Sequence, residues 1–314
     1  MDLLERCPEF VKGALRVWRQ GDVWCVSRFT DAQQRTLDAC DYKQIRSYAS
    51  SGIRLELDTD ASRLDADFLV SEGSAQELYG FDLLVDGVLH AHWEGSIQEA
   101  TVSLQAALPQ GRKRLTLLLP CMAQARIRGL RLENATVALP ASATRTLLCL
   151  GDSITQGYIS HYPSITIPWL LARGSRMDLL NQGIGADTFC AEEVDSSVSA
   201  DEVVISFGTN DWSSRTEVEF QAHASAYLAA ARRAWPEQRI TVLTPFWRWD
   251  ADDMPQGWAL DRVGMYLRTF ANEKLLVLDG YRLLPRLRAF YAEHVHPNEL
   301  GAMAVALQVA EAWQ

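Results

Sequence analysis

A serine, an asparagine and a histidine follow separate apolar runs in the second half of the chain. Ser153 comes just after residues 146–150 (TLLCL), Asn210 comes just after residues 202–207 (EVVISF), and His296 follows the last run after a longer linker. Acyl transfer uses these residue types as nucleophile, oxyanion donor and general base. A serine at a strand-to-helix turn also lies beside helix N-terminal amides that can donate to an oxyanion. The pattern therefore indicates serine-dependent acyl chemistry.

These residues belong to a strand–helix alternation that begins after residue 142. Five apolar segments are predicted as strands of a parallel sheet, because strands covered on both faces are apolar throughout: Thr146–Leu150, Met177–Leu180, Glu202–Phe207, Arg239–Leu243 and Leu275–Leu278. Helices are predicted over Thr216–Trp235, Ala259–Asn272 and Asn298–Trp313, with Asn298 as an N-cap. In such a three-layer α/β/α fold, a site forms beyond the carboxyl ends of the strands.

Residues 1–142 have the patterning of an all-β domain. Short strands separated by turn signals are predicted over Asp22–Phe29, Ile53–Leu57, Arg63–Val70, Phe81–Val85, Val88–Trp93, Thr101–Ala107, Arg114–Leu119 and Arg126–Leu132. Asp86-Gly87 between two apolar runs indicates a hairpin turn. We therefore predict a sandwich or jelly roll over residues 1–142, followed by an α/β domain over residues 143–314.

Composition narrows the possible partners. The chain of 314 residues has a formal net charge of -10, which disfavours nucleic acids and anionic membranes as partners. Its six cysteines are scattered without a CxxC spacing, so neither a disulfide framework nor a zinc ribbon is expected. The first residues lack the apolar core of a signal peptide, and the longest apolar stretch is too short to span a bilayer. We expect a cytoplasmic protein without a cofactor, and the oligomeric state stays open.

Four motifs carry a family resemblance. The segments GDSITQG, NQGIGAD, GTND and HPN resemble the four motif blocks of the SGNH (GDSL) hydrolases, in the family's order and at the expected strand ends. The resemblance covers residues 147–302. A second, weaker match is Gly80-Phe81-Asp82-Leu83-Leu84, which resembles the GxDLY signature of a β-sandwich domain that precedes some SGNH hydrolases, with Leu84 in place of tyrosine.

The resemblance assigns the reacting groups. Ser153 matches the nucleophile and His296 the general base. The family's catalytic acid lies three residues before the histidine, where this chain has Glu293 instead of aspartate. A longer carboxylate can hold the imidazole, as in some other hydrolase triads; the alternative is a Ser–His dyad. Asp279 and the Asp250–Asp253 loop are weaker candidates for the acid.

The resemblance also implies an oxyanion hole. Its donors would be the amide of Ser153, the amide of position 186 and the side chain of Asn210. Position 186 is alanine where the family has glycine, so a positive φ there would cost roughly 1 kcal/mol or more, unless Gly185 absorbs the turn. Asp152 and Asp211 are expected to brace these loops, or else to be ordinary turn residues.

Aromatic residues are the candidates for substrate contact. Tyr158 follows the nucleophile, and Trp247 and Trp249 lie in the loop after the fourth strand of the parallel sheet. They would wall an acyl pocket or stack on a sugar; the alternative is a small core beneath a long loop. His294 and His296 form an H-x-H pair with no third ligand in view, so no metal is expected.

The predicted function is a serine esterase that hydrolyses small acyl esters, with acetyl esters of a carbohydrate or glycoside favoured because of the β-sandwich, which is taken as an accessory or carbohydrate-binding-like domain. The alternatives are an acyltransferase, lipase or thioesterase of the same family. A further alternative is a non-catalytic carbohydrate-binding protein on a decayed hydrolase scaffold, motivated by Ala186 and Glu293.

Overall fold

The computed structural model describes residues 1–97 and 101–314. Its strands are β1 (Val11–Lys12), β2 (Arg16–Gln20), β3 (Val23–Ser27), β4 (Arg54–Thr59), β5 (Arg63–Glu72), β6 (Leu78–Val85), β7 (Val88–Ser96), β8 (Thr101–Ala107), β9 (Lys113–Leu118), β10 (Ala123–Glu133), β11 (Ala138–Pro140), β12 (Thr146–Gly151), β13 (Asp178–Gly183), β14 (Glu202–Ser206), β15 (Arg239–Leu243) and β16 (Leu275–Leu278).

The α-helices of the same residues are α1 (Cys7–Phe10), α2 (Asp31–Leu37), α3 (Asp41–Ser47), α4 (Ser153–Gln156), α5 (Ile167–Gly174), α6 (Thr209–Ser214), α7 (Glu217–Ala234), α8 (Asp261–Arg268), α9 (Gly280–Leu283) and α10 (Glu299–Ala312). Single 3₁₀ turns occur at Pro163–Ile165, Ala191–Glu193, Ala251–Asp253 and Arg288–Phe290.

The N-terminal half is a β-sandwich, as predicted. One sheet has the order β1-β4-β9-β6-β7, with β11 paired to β4, and the other has the order β2-β3-β10-β5-β8. Alternate side chains of both sheets enter one buried core, where the rings of Phe68 and Phe81 lie 4.7 Å apart between centroids. The predicted hairpin turn joins β6 to β7, with positive φ at both Asp86 and Gly87, which matches the twist of the paired strands.

The C-terminal half has the predicted three layers. Its five-stranded parallel sheet has the order β13-β12-β14-β15-β16. Leu148 and Leu150 of β12 enter the core formed with α7 and α8, whereas Leu147 and Cys149 enter the core formed with α5 and α10. This alternation puts an apolar side chain on each face of the strand, which explains why the sequence run is continuously apolar.

Strand order decides where the motifs meet. The central strand β12 lies between β13 and β14, and Gly151 at its end pairs with Gly183 of β13 and Ser206 of β14. The segments that follow these three strands therefore leave the sheet side by side, at the point where the strand order reverses.

Three short helices in the N-terminal half, α1, α2 and α3, were not predicted. α2 begins at a capping box, in which the Thr30 side chain accepts from the Gln33 amide and the Gln33 side chain accepts from the Thr30 amide. α3 follows at once. The fully buried Arg28 guanidinium, just before α2, donates to the carbonyls of Asn181 (2.7 Å) and Gly183 (2.9 Å). This segment is therefore anchored on the α/β half.

Predicted helix ends agree with the structure to different degrees. α7 begins after a Thr216 cap, and α10 begins after Asn298, whose side chain accepts from the Gly301 amide at 3.0 Å. α8 is shorter than the predicted helix over Ala259–Asn272.

Across residues 1–97 and 101–314, no helix combines the length and the apolarity that a membrane crossing requires.

Candidate active site

Ser153 is the first residue of α4, directly beyond β12. Asp152 caps this helix by accepting from the Ile154 amide at 3.0 Å. The helix passes so close to the next strand that a Cβ on Gly183 would lie 2.3 Å from the Gln156 amide nitrogen, so only glycine fits there. Ser153 itself is 8% exposed, which leaves its hydroxyl accessible from a cleft but not from bulk solvent.

A hydrogen-bonded relay connects Ser153, His296 and Glu293. Ser153 Oγ lies 2.7 Å from His296 Nε2, and His296 Nδ1 contacts Glu293 Oε1. The same carboxylate oxygen accepts from the His296 amide at 2.7 Å. Because a carboxylate only accepts, the ring proton belongs on Nδ1 and Nε2 is left as the acceptor for the serine proton. The glutamate thus reaches the imidazole.

The two weaker candidates for the acid are engaged elsewhere. Asp279 caps α9 by accepting from the Tyr281 amide and pairs with Arg268. Asp250 binds Arg248 through both carboxylate oxygens, at 2.8 and 2.7 Å.

Burial and hydrogen bonding together set the protonation states of His296 and Glu293. Burial lowers the pKa of His296 below the ordinary value of 6.5, helped by the positive charge of Arg248 and opposed by Glu293. Burial by itself would raise the pKa of Glu293, but hydrogen bonds from the His296 amide and ring bring that pKa below its ordinary value. A neutral imidazole beside an ionised carboxylate is the resting state that general-base catalysis needs.

The three candidate oxyanion donors belong to residues that line one cleft. The cleft is lined by Ser153, Ala186 and Asn210, and neither the Ser153 nor the Ala186 amide donates to another residue of the described chain. One hydrogen of the Asn210 amide group is bound to the Asp187 carbonyl at 2.9 Å. That bond fixes the side chain and leaves its second hydrogen for a ligand.

The alanine at position 186 adopts a left-handed backbone conformation. Its φ is +63°, in a turn closed by the Asp187 amide and the Ile184 carbonyl at 3.1 Å. Gly185 does not take the positive φ in its place. The strain expected for alanine in this region is therefore present, and the amide is still available as a donor.

We expect Ala186→Gly to stabilise the protein by up to ~1 kcal/mol, because glycine removes the steric cost of positive φ while giving part of the gain back as unfolded-chain entropy. The Ala186 side chain is exposed, so no buried contact is lost. Chemical denaturation measures the change. Ala229→Gly, at an exposed helical position, is the matched control and should destabilise by about 1 kcal/mol. Destabilisation by both variants would contradict the strain argument.

Two buried aspartates brace the turns around the site. Burial raises the pKa of Asp152 to about 7, and it raises the pKa of Asp211 to about 6 against the opposing charge of Arg215. Asp211 accepts from the Phe189 amide at 3.2 Å and contacts the Arg215 guanidinium.

Gly185 is held by hydrogen bonds at both its amide and its carbonyl. Its amide donates to Gln156 Oε1 at 2.6 Å, and its carbonyl accepts from Arg46 Nη1 at 2.6 Å.

The relay opens into a cleft of about 260 Å³ between the two halves of the chain. Besides the residues above, its walls include Ser74, Ala75, Tyr158, Ser213, Arg248 and Val295. Arg46, Ser74 and Ala75 come from the N-terminal half, and sequence reasoning missed them. A signal was present for Arg46: the Thr30/Gln33 capping pair predicts the start of the helical segment whose second helix, α3, carries this arginine.

The aromatic candidates separate into two groups. Tyr158 lines the cleft, and its ring centroid lies 4.7 Å from that of His296. Trp247 and Trp249 are not among the cleft-lining residues; their rings pack edge-on at 4.6 Å and both contact Tyr291. Trp247 is half-buried and Trp249 is 40% exposed, so the three rings form a partly exposed aromatic cluster.

The H-x-H pair has other partners. His294 Nδ1 lies 2.7 Å from Glu293 Oε2, while His296 faces Ser153. Over residues 1–97 and 101–314, no three or more histidine, cysteine or acidic side chains form a group suited to a metal ion.

Comparison with known proteins defines the class. The model of the GDSL-like lipase/acylhydrolase family matches residues 149–304. Residues 149–304, which include Ser153 and His296, are therefore a GDSL-like lipase/acylhydrolase domain, and the protein is an ester-hydrolysing enzyme of the SGNH type. A sequence search of curated proteins gave no match.

Solved structures share the whole architecture. A salicylyl-acyltransferase from a tetracycline biosynthetic pathway superposes with a TM-score of 0.81 at 25% identity, covering 95% of this chain and 92% of that one. An acetyl xylan esterase from Butyrivibrio proteoclasticus gives 0.64 at 14% identity, with coverages of 99% and 96%. A family two carbohydrate esterase from Clostridium thermocellum gives 0.65 at 17%, with coverages of 84% and 92%. At 14% and 17% identity, the last two matches show a shared fold alone.

Proposed function

We propose that this protein is a serine esterase that removes short acyl groups, foremost acetyl, from a carbohydrate or glycoside. The observation that carries the proposal is the relay in which Ser153 Oγ lies 2.7 Å from His296 Nε2, with Glu293 on the other ring nitrogen. That geometry suits nucleophilic attack with general-base assistance.

In the proposed mechanism, Ser153 Oγ attacks the ester carbonyl and passes its proton to His296 Nε2. Glu293 keeps the imidazole oriented and stabilises the imidazolium. The amides of Ser153 and Ala186 and the side chain of Asn210 hold the oxyanion. The imidazolium then returns its proton to the leaving alcohol, and a water activated by His296 hydrolyses the acyl-enzyme. Asp152, Asp211 and Gly185 support the turns that carry these groups.

The cleft supports a small, polar substrate. Its volume of about 260 Å³ is modest, and its walls carry several polar groups but no leucine, isoleucine, phenylalanine or methionine. A long acyl chain would need an apolar channel. Tyr158, whose ring is tilted by 52° against that of His296, is the aromatic side chain of the cleft that could contact a sugar ring or acyl group. Trp247 and Trp249 do not line the cleft, so only a substrate that extends beyond it would reach them.

The N-terminal sandwich is proposed as an accessory part of the enzyme, with the division placed near residues 142 and 143. Its contribution to the cleft through Arg46, Ser74 and Ala75 favours a role in substrate contact over a purely structural one. The likeness to carbohydrate esterases that carry both halves supports the same interpretation.

A panel of 4-nitrophenyl esters and acetylated sugars tests the substrate proposal. We expect kcat/KM to be highest for acetyl and to fall steadily with chain length, together with acetate release from an acetylated sugar. A preference for octanoyl esters would contradict it and point to a lipase.

Acyl transfer is the second candidate, favoured by the structural match to a salicylyl-acyltransferase over nearly the full length of both chains. The two activities differ in whether water or an acceptor hydroxyl reaches the acyl-enzyme. Addition of a polyol acceptor separates them: a transesterified product that exceeds hydrolysis indicates a transferase, and unchanged hydrolysis indicates an esterase.

The pH profile should show a single acidic limb. Because burial lowers the pKa of His296 below 6.5, the neutral base persists in mildly acidic solution, and kcat/KM should fall only as the pH drops through that lowered value. Glu293→Gln removes the charge that favours the imidazolium and should move the limb to lower pH. A wild-type limb centred above pH 6.5 would contradict the assignment of His296 as the buried base.

A further inference from the structure

The charged side chains that line the catalytic cleft are positive, whereas the molecule as a whole is negatively charged. The chain has a formal net charge of -10, yet the cleft is lined by two arginines, Arg46 and Arg248, and by no aspartate or glutamate. A concave site lined by one sign of charge raises the local concentration of ligands of the opposite sign.

The two arginines are not equivalent. Arg248 is buried and already neutralised by Asp250, which binds it through two hydrogen bonds. Arg46 is half-buried, and no carboxylate of the described chain lies within 4.0 Å of it. Among the described residues, Arg46 is therefore the arginine of the cleft that has no carboxylate partner.

Most of the Arg46 donors are unused by the protein. Among the described residues, its guanidinium donates only through Nη1, to the Gly185 carbonyl at 2.6 Å, and it lies over the Tyr42 ring at 5.0 Å. A guanidinium has five N–H donors in a planar fork. Within the described part of the chain, none of its remaining nitrogens is enclosed without a partner, and Arg46 is one of the residues that line the cleft.

These contacts also hold the fork in place. The bond to Gly185 fixes Arg46 beside the turn that presents the Ala186 amide, and the Arg46 carbonyl accepts from the buried Arg28 at 3.2 Å. A preorganised guanidinium binds a carboxylate more strongly than a flexible one, because less rotamer freedom is lost on binding.

We propose that the substrate of this enzyme is an anionic ester, one that carries a carboxylate within reach of Arg46, and that Arg46 selects it over neutral esters. This inference rests on the proposed esterase function and narrows its substrate class, for example to acylated sugar acids. Arg46 acts in binding and orientation, whereas bond breaking stays with Ser153 and His296.

Two pairs of chromogenic esters test the proposal, each with one carboxylate and one methyl-ester member of the same size. For the acyl half, the pair is 4-nitrophenyl hydrogen succinate and methyl 4-nitrophenyl succinate. For the alcohol half, it is 5-acetoxy-2-nitrobenzoate and its methyl ester. The readout is the ratio of kcat/KM for the charged member to that for the neutral member, which cancels any general loss of activity.

For the wild type, we expect a ratio of at least ~10 in one of the two pairs, since charge-assisted hydrogen bonds to a guanidinium contribute on this scale. The pair that shows it locates the carboxylate in the acyl or the alcohol half. Arg46→Gln should bring that ratio to about 1, Arg46→Lys should retain part of it, and added salt should lower it in the wild type. Arg233→Gln, an equal charge change at the exposed end of α7, should leave it unchanged.

A wild-type ratio near 1 in both pairs, or an undiminished ratio in Arg46→Gln, would overturn the proposal. Ser153→Ala separates this failure from failure of the esterase mechanism. If that variant is inactive while the wild-type ratios are flat, only the anionic-substrate inference is lost.

Discussion

Replacing Ser153 with alanine is expected to lower kcat for 4-nitrophenyl acetate by ~10⁴–10⁶-fold, the scale on which loss of a triad nucleophile acts. The hydroxyl is the only group removed, and among the described residues its side-chain hydrogen bond is to His296. Asp152 still caps α4 through the Ile154 amide. The melting temperature should therefore change little, and the loss should appear in kcat.

Ser160→Ala is the matched control for this variant. Ser160 lies one short turn beyond α4, and its hydroxyl donates to the Tyr162 carbonyl at 2.9 Å. We expect its activity to stay within ~3-fold of wild type. If Ser153→Ala kept substantial activity with an intact fold, the covalent mechanism would have to be abandoned.

Removing the imidazole is the second large change. His296→Ala should lower kcat by ~10⁴-fold or more, because the serine hydroxyl then has no base 2.7 Å away to take its proton. Losses of groups that act as a unit are strongly non-additive, so the double variant with Ser153→Ala should be scarcely worse than either single variant. Steady-state kinetics of the three proteins measures this coupling.

His294→Ala provides the control, since the two histidines are two residues apart and both contact Glu293. His294 is exposed, and it contacts Glu293 through Oε2 and not through the oxygen that holds His296, so its loss should cost less than ~10-fold. Equal losses from the two substitutions would contradict the assignment of His296 as the base.

Much of the fold could be predicted because strand periodicity is a local property. The five apolar runs of the parallel sheet and the Asp86-Gly87 hairpin were found in this way. Strand order was not predicted, because pairing between β12 and its two neighbours depends on packing of segments far apart in sequence. α2 and α3 were missed because their amphipathic pattern is short, and the capping residue Thr30 was not used.

The reacting groups of the candidate site were identified from motifs at strand ends, and the structure brings Ser153, Ala186, Asn210 and His296 to one cleft. Whether glutamate reaches the imidazole depends on the conformation of the loop before α10, which the sequence left open. The sign of φ at position 186 was open for the same reason. Residues contributed by the N-terminal half, Arg46 foremost, depend on how the two halves pack. No motif in the sequence encodes that packing.

The proposed mechanism requires that Ser153 carries an activated hydroxyl. A fluorophosphonate probe followed by peptide mass spectrometry measures this directly, with the His296→Ala variant treated in parallel. We expect stoichiometric labelling of Ser153 in the wild type, concurrent loss of esterase activity, and little labelling in the variant. An unlabelled Ser153 in protein that still hydrolyses esters, or a label on another residue that accompanies inactivation, would contradict it.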